Sequence, residues 1–471
     1  MYINDMKKLF LIICLTVLIF SPASFAANGK VYNAETFTLE NGMQVVVIPN
    51  HRAPVVTHMI WYKVGSADEP RNLSGMAHYL EHLLFKGTPT LAPGEFSRRI
   101  RAIGGNENAF TSSDYTAFFE SFAVDQLESV MQMEADRMMN TSPPEKDFLS
   151  ERNVVLEERR ERTENDPRGF FSEQLRALLF INHPYGIPVI GWQHEVSALT
   201  WKEIEPFYKN FYGPNNAIVV VAGDITAEKF KPLAEKIYGP LKPIKVPERR
   251  WTSVPPMIAS PTLTLHHADI QQPSWMRMYR VPSLLQDKQQ GYALGLLEEI
   301  LSGGAATRFY KSLVVEQKLA TSASFNYDGM KISDGVLWLS ATPAEGVSLE
   351  TLEKAVEAEI ALLLEKGITE QELAEAKVRL QDSAAFARDS LSGPAMNVGY
   401  ALAIGLTLDD VEYWPQKIEA ITKEEVESTA RALLSPASSK QKPYVTGYLL
   451  PEVKGEEIAT EPAIATPAAQ R

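Results

Sequence analysis

Three polar side chains interrupt an otherwise apolar stretch, Gly75-Met76-Ala77-His78-Tyr79-Leu80-Glu81-His82-Leu83-Leu84-Phe85. On a helix of 3.6 residues per turn, His78 and His82 fall at i and i+4, stacked on one face. Two imidazoles at that spacing can grip one metal ion. Glu81, three residues after His78, lies close enough to act on a water held there. The order His-x-x-Glu-His reverses the common zinc-protease helix motif. Hydrolytic zinc normally takes three protein ligands and keeps a fourth position for water. The third ligand must then come from elsewhere, and a carboxylate would complete the set. Glu151, Glu157 and Glu158 are at hand in Glu151-Arg152-Asn153-Val154-Val155-Leu156-Glu157-Glu158-Arg159, two helices further on. Without a metal, the two histidines and an unpaired Glu81 would be costly to bury in a Leu-rich helix.

The elements that must position these groups can be read from periodicity and punctuation. Residues 31–65 are strand-like, with Asn41-Gly42 as a hairpin turn and two β-branched runs after it. Ser74 is placed to cap the histidine helix, and Gly87-Thr88-Pro89 closes it. A helix over 95–103 ends at Gly104-Gly105, and a small-residue segment then runs into a strand. The long charged helix over 145–164 carries the three candidate carboxylates. Most of its acids read as a solvated face with helical ion pairs, such as Glu157 with Arg160. His183, in the turn His183-Pro184-Tyr185-Gly186, reads as structural rather than as a ligand. Residues 217–224 form a fully buried strand.

Composition bounds the rest. A chain of 471 residues exceeds one core, and 45% apolar with 22% charged residues is that of a folded protein. Lys7 and Lys8, an apolar run over 9–20 and a small-residue site ending at Ala26 make residues 1–26 a signal peptide. That run is short for a retained membrane anchor. The expected location is therefore outside the cytoplasm, periplasmic in a Gram-negative cell and otherwise secreted. The lone Cys14 falls inside the leader, so any metal site must use His and carboxylates. The net charge of −13 disfavours nucleic acid as a partner.

Residues 241–261, rich in Pro, Lys and Arg, read as a linker between two halves of like plan. The first, 30–240, holds the motif. The second, 262–450, again places strands (262–266 and 274–281) before a helix over 287–301. Laying that helix under the first puts Gly295 opposite His78 and Glu299 opposite His82, so the second half lacks the metal ligands. The fold class expected is α+β, two tandem homologous domains, each a mostly antiparallel sheet with helices packed on it. Residues 452–471, rich in Ala, Pro, Thr and Glu, read as a disordered tail.

Several of these segments together resemble the pitrilysin/insulysin family of inverted zincins, and most of all its mitochondrial-processing-peptidase-like branch. They are His78-x-x-Glu81-His82, Gly104-Gly105-x-x-Asn108-Ala109-x-Thr111-Ser112, Glu151 to Glu158, His183-Pro184-Tyr185-Gly186 and Tyr212-x-Pro214-Asn215-Asn216. The resemblance covers nearly all of the chain between leader and tail. It implies one Zn²⁺ per chain on His78, His82 and Glu158, with Glu151 supporting the site and Glu157 the rival ligand one residue away. It implies Glu81 as the catalytic base of a zinc metalloendopeptidase acting on extended or unfolded peptides. It also implies that Asn108, Ala109, Phe110 and Thr111 form an edge strand to which the peptide adds.

One departure bears on partners. Relatives that act alone carry an Arg and a Tyr in the second domain, in a segment matched here by residues 313–322, where Val315 and Thr321 stand instead. Arg308 and Tyr327 lie nearby but out of register. The expectation is a heterodimer with a homologous subunit bearing the Arg/Tyr pair, or a homodimer in which Arg308 or Tyr327 substitutes. The rival from another class is a non-catalytic structural or assembly subunit, for which an intact His-x-x-Glu-His has no use.

Overall fold

The computed structural model describes residues 29–435 and 444–452. The expected signal peptide and all but Glu452 of the expected tail lie outside the described residues.

The first half builds a six-stranded sheet from β1 (Glu35–Thr38), β2 (Gln44–Pro49), β3 (Val55–Tyr62), β4 (Asn106–Thr111), β5 (Thr116–Ala123) and β6 (Ala217–Gly223). Their spatial order is β1-β2-β6-β3-β5-β4, so β4 is an edge. Every neighbouring pair is antiparallel except β2 with β6. The helices of this half are α1 (Met76–Leu83), α2 (Glu95–Ala102), α3 (Leu127–Asn140), α4 (Glu145–Arg159), α5 (Pro167–Leu179), α6 (Gln193–Ala198), α7 (Trp201–Phe211) and α8 (Ala227–Ile237). Alternation on β3 shows why the central strands are apolar throughout. Val56, Ile60 and Tyr62 pack against α1, α3, α7 and α8, whereas Met59 and Trp61 belong to a separate core on the opposite face.

The second half repeats the plan with β7 (Thr262–His267), β8 (Ser274–Val281), β9 (Ala320–Asp328), β10 (Gly335–Pro343) and β11 (Val445–Pro451), in the order β7-β11-β8-β10-β9. Its single parallel pair, β7 with β11, joins its first and last strands, whereas in the first sheet the parallel pair is the second strand with the last, β2 with β6. Its leading helices are α9 (Lys288–Ser302), α10 (Leu349–Lys366), α11 (Glu370–Asp389) and α12 (Gly393–Ala403).

The halves exchange helices. From α12 of the second half, Ala395, Val398 and Leu402 cover Met59, Trp61 and Val220 of the first sheet. From α5 of the first half, Phe171, Leu175 and Leu179 join Met278, Val336 and Leu449 of the second sheet. Glycines permit both approaches: a Cβ on Gly399 would collide with the Trp61 indole, and one on Gly447 with Phe171 and Leu175. Segment 241–261 carries no helix or strand, yet it is pinned. Arg249 donates to both Asp68 oxygens at 2.9 Å and to Asp114 O at 2.7 Å. Among the described residues, no helix is long and apolar enough to cross a membrane.

Candidate metal centre

The histidine helix is held at its N-terminus by two carboxylates. Glu69 accepts from the N–H groups of Gly75 (3.0 Å) and Ala77 (2.7 Å), and Glu195 accepts from that of Ser74 (2.7 Å). Amide donors unpaired in the first turn of α1 are thereby satisfied. Ser74 does not cap, contrary to the expectation from its type. The cap position falls on Gly75, whose φ of 83° is left-handed, and Ser74 Oγ accepts from Trp192 N–H instead (2.9 Å). A Cβ on Gly75 would sit 2.6 Å from Ile190 O, so glycine alone lets α1 start against segment 190–195.

On α1, His78 and His82 stand with ring centroids 4.8 Å apart. The carboxylate facing both comes from α4. Glu158 Oε2 lies 3.7 Å from His78 Nε2 and 3.4 Å from His82 Nε2. Glu157 points the other way, 53% exposed and paired with Arg160, while Glu158 is 18% exposed. Behind His82, Glu151 Oε1 meets Nδ1 at 2.9 Å and its other oxygen meets Lys86 Nζ at 2.5 Å. Nδ1 is thus tied back and Nε2 is left forward. His78 Nδ1 is buried with no partner among the described residues.

This donor set fits a tetrahedral cation. Two donors, each about 2.1 Å from a tetrahedral centre, are about 3.4 Å apart, close to the two distances measured. One donor atom each from His78, His82 and Glu158 can be chosen with all three within 4.8 Å of one another, and no other such His/Cys/Asp/Glu group occurs among the described residues. Two imidazoles and one carboxylate suit zinc better than the oxygen-seeking calcium or magnesium.

Electrostatics points the same way. Burial pulls the His82 imidazole down, but hydrogen bonds to Glu151 and Glu158 outweigh it and hold the ring up at about 9. His78 moves oppositely, to about 4, through burial and the neighbouring charge on His82. The Glu158 carboxyl is held below its ordinary range, chiefly by His82. A proton on His82 thus occupies the electrostatic place a cation would take, and metal binding would release it. Glu81, buried, accepts from Thr111 Oγ1 at 2.7 Å. Burial nonetheless pushes its carboxyl up, the direction useful for a group that takes and returns a proton.

The four substrate-strand residues divide between the faces of β4. Thr111 and Ala109 lie on the side of α1, whereas Phe110 packs with Trp61, Tyr115 and Phe119 on the far side. Asn108 is exposed, and its Oδ1 accepts from Ala109 N–H at 2.9 Å. His183 keeps to its turn, with Nδ1 accepting from Tyr185 N–H and its ring among Phe180, Tyr185 and Trp251. Arg308 and Tyr327 are committed inside the second half. Arg308 forks onto Glu372 (2.5 and 2.7 Å) and donates to Gly367 O, and Tyr327 OH donates to Pro282 O (2.9 Å). Arg308 Nε and Nη2 and the Tyr327 hydroxyl therefore already have partners within the second half.

The second half shows what became of the matching position. Glu299, opposite His82, is bound by Arg379 Nε at 3.0 Å from α11, so an ion pair joins the two helices. Arg379 follows Glu372 by seven residues, the spacing of Glu158 after Glu151. Residue types alone missed Thr111 as a partner of Glu81, and also Arg159 and Arg162. Arg159 is buried, forks onto Glu173 (2.9 and 3.1 Å) and donates to Gly191 O (2.8 Å). It ties the end of α4 to the segment that holds the start of α1. The i+4 spacing of Arg162 from Glu158 was the available signal for that residue.

Comparison with known proteins agrees with this geometry. Residues 44–192 match the family described as Insulinase (Peptidase family M16), and residues 198–380 match the Peptidase M16 inactive domain. The second match falls largely on the half without the histidines. A zinc protease, PqqE, from Helicobacter pylori is 32% identical over 366 residues, 77% of this chain and 82% of its own. An uncharacterized zinc protease from Mycobacterium leprae is 30% identical over 426 residues, 88% and 93% of the two chains. A crystal structure of a protease from Helicobacter pylori superposes with a TM-score of 0.80 at 29% identity, covering 89% of this chain and 99% of that one. The periplasmic protease PqqL from Escherichia coli shares the fold at 19% identity and a TM-score of 0.76, with 88% of this chain matching 47% of that one. Agreement of both halves with these relatives, in fold and in sequence, makes the chain a member of the M16, or insulinase, peptidase family.

Proposed function

We propose that this chain is a zinc-dependent endopeptidase that hydrolyses peptide bonds in extended or unfolded peptides. The observation that carries the reading is the convergence of His78 Nε2, His82 Nε2 and Glu158 Oε2 beside the buried Glu81. These three atoms would hold the metal, and Glu151 would keep His82 in the ligating tautomer. Zinc, when bound, supplies Lewis acidity that polarises the peptide carbonyl and eases deprotonation of a water. Glu81 takes the proton of the attacking water at the oxygen not held by Thr111. As the carbon–nitrogen bond breaks, it returns that proton to the leaving amine. An incoming peptide would pair as a further strand along β4, with Ala109 N–H released by Asn108.

The likeness to half of a longer protease chain, together with Val315 and Thr321 where the resemblance expects Arg and Tyr, supports a two-chain enzyme. A second exported subunit of like fold would bring that pair and close a water-excluding chamber. The leader supports export, to the periplasm in a Gram-negative cell. Zinc content and turnover test the reading together. Purified protein should carry about one zinc per chain, and Glu81→Gln should retain the metal while losing peptide cleavage. A chain that carries no zinc and takes up none when it is offered would instead be a non-catalytic assembly subunit.

A further inference from the structure

The chain leaves α4 at Arg159 and continues as one wide π-type turn, Arg160–Glu164, in which Asn165 N–H reaches Arg160 O at 2.8 Å. Such turns are uncommon and cluster at functional sites. Here the turn begins two residues after Glu158. Its start is fastened by the buried Arg159, whose Nε also meets Glu164 at 3.2 Å. On this turn stands Arg162, 72% exposed, with Nη1 2.6 Å from Glu158 Oε1. The two oxygens of Glu158 are therefore divided: Oε1 toward Arg162, Oε2 toward both histidines.

We propose that Arg162 is a positioning residue for the metal site, which holds Glu158 Oε1 so that Oε2 alone is presented to the cation. The terminal torsion of a glutamate is broad and nearly two-fold. Untied, the carboxylate would swing between one-oxygen and two-oxygen approaches to a metal. A guanidinium is a rigid, permanently charged fork suited to holding one orientation. This inference rests on the zinc reading of the site and adds a residue to it.

Charge and geometry make opposite demands at this position. By Coulomb repulsion alone, a guanidinium one carboxylate away from a cation weakens metal binding, and its removal should tighten it. By positioning, its removal should loosen binding, as loss of an outer partner of a metal ligand does, by about 10–100-fold. The sign of the change decides. Arg160 is an internal control: it sits on the same turn but pairs with the exposed Glu157.

The test is a chelator-competition titration of Zn²⁺ with the purified full chain and its variants Arg162→Ala, Arg162→Lys and Arg160→Ala, each checked for fold by circular dichroism. Because Arg162 is exposed, its loss should leave the fold intact. Arg162→Ala should bind zinc at least about tenfold more weakly, Arg162→Lys should recover only part of the loss because its flexible ammonium restores charge but not the rigid hold, and Arg160→Ala should match the wild type. With Co²⁺ in place of zinc, Arg162→Ala should also change the visible d–d bands, as a freed Glu158 adds its second oxygen. Zinc affinity in Arg162→Ala equal to or tighter than wild type, or an equal loss in Arg160→Ala, would overturn the proposal while leaving the zinc reading intact. A wild-type chain that binds no zinc would overturn both.

Discussion

Glu151→Gln is nearly isosteric and removes one charge, yet the structure gives it a larger consequence. In the native site the two Glu151 oxygens serve different donors, His82 Nδ1 at 2.9 Å and Lys86 Nζ at 2.5 Å. A glutamine has only one oxygen. The Lys86 ammonium carries donors only, so it claims that oxygen and the amide NH₂ turns toward His82. Nδ1 must then accept, which moves the ring proton to Nε2, the atom facing Glu158 and needed for the metal. Restoring the ligating tautomer forfeits a hydrogen bond and sets donor against donor. At about 1–3 kcal/mol for such a mismatch, plus the lost charge assistance, zinc affinity should fall about 100-fold, or about 2.7 kcal/mol. The assay is competition with a chromophoric chelator at neutral pH. The double variant Glu151→Gln/Lys86→Met should recover part of the loss, because the amide oxygen is then free to turn back to His82. Wild-type affinity in the single variant, or a double variant no tighter than the single, would refute this reasoning.

Three further outcomes follow from the packing. Arg159→Met leaves the buried Glu173 without its cation and unties α4 from segment 190–195, so it should cost about 3–5 kcal/mol in urea unfolding. Gly399→Ala drives a methyl group into the Trp61 indole and should cost about 1–3 kcal/mol by calorimetry. His58 is fully buried among Glu120, Glu134, Arg137 and Tyr238, and burial holds it down at about 4 from an ordinary 6.5. The unfolded chain therefore takes up this proton first as pH falls. Stability from the neutral ring is present above pH 6.5 and is lost as pH falls toward 4, by roughly 3 kcal/mol. His58→Gln, measured by denaturant unfolding across that window, should show a flatter dependence than the wild type.

What could be read from the chain alone is what depends on near neighbours. The i, i+4 placement of His78 and His82, with Glu81 between, follows from the helical period, and the buried run at 217–224 needs only its composition. The repeat was legible because both halves order their strands and helices alike. Elements with weak local signals were not. The strand β9 is Ala-Thr-Ser-Ala-Ser-Phe-Asn-Tyr-Asp, an edge whose free groups are met by Ser302 and Glu298 rather than by apolar packing. In β11, Gly447 and Pro451 mask a strand that is stabilised from both sides in the sheet. Register within 151–158, read through the family resemblance, favours Glu158 as the third ligand over its neighbour Glu157. Only the packing of α4 against α1 turns Glu158 inward and Glu157 outward, because side chains one residue apart on a helix point about 100° apart. The exchange of α5 and α12 between the sheets, and the hold of Arg159 and Arg162 around Glu158, arise from contacts between distant elements. Charge and period along the chain describe such residues as a solvated helix face, and the tertiary structure alone shows that Arg162 pairs with Glu158 at the site while Arg160 pairs with the outward Glu157.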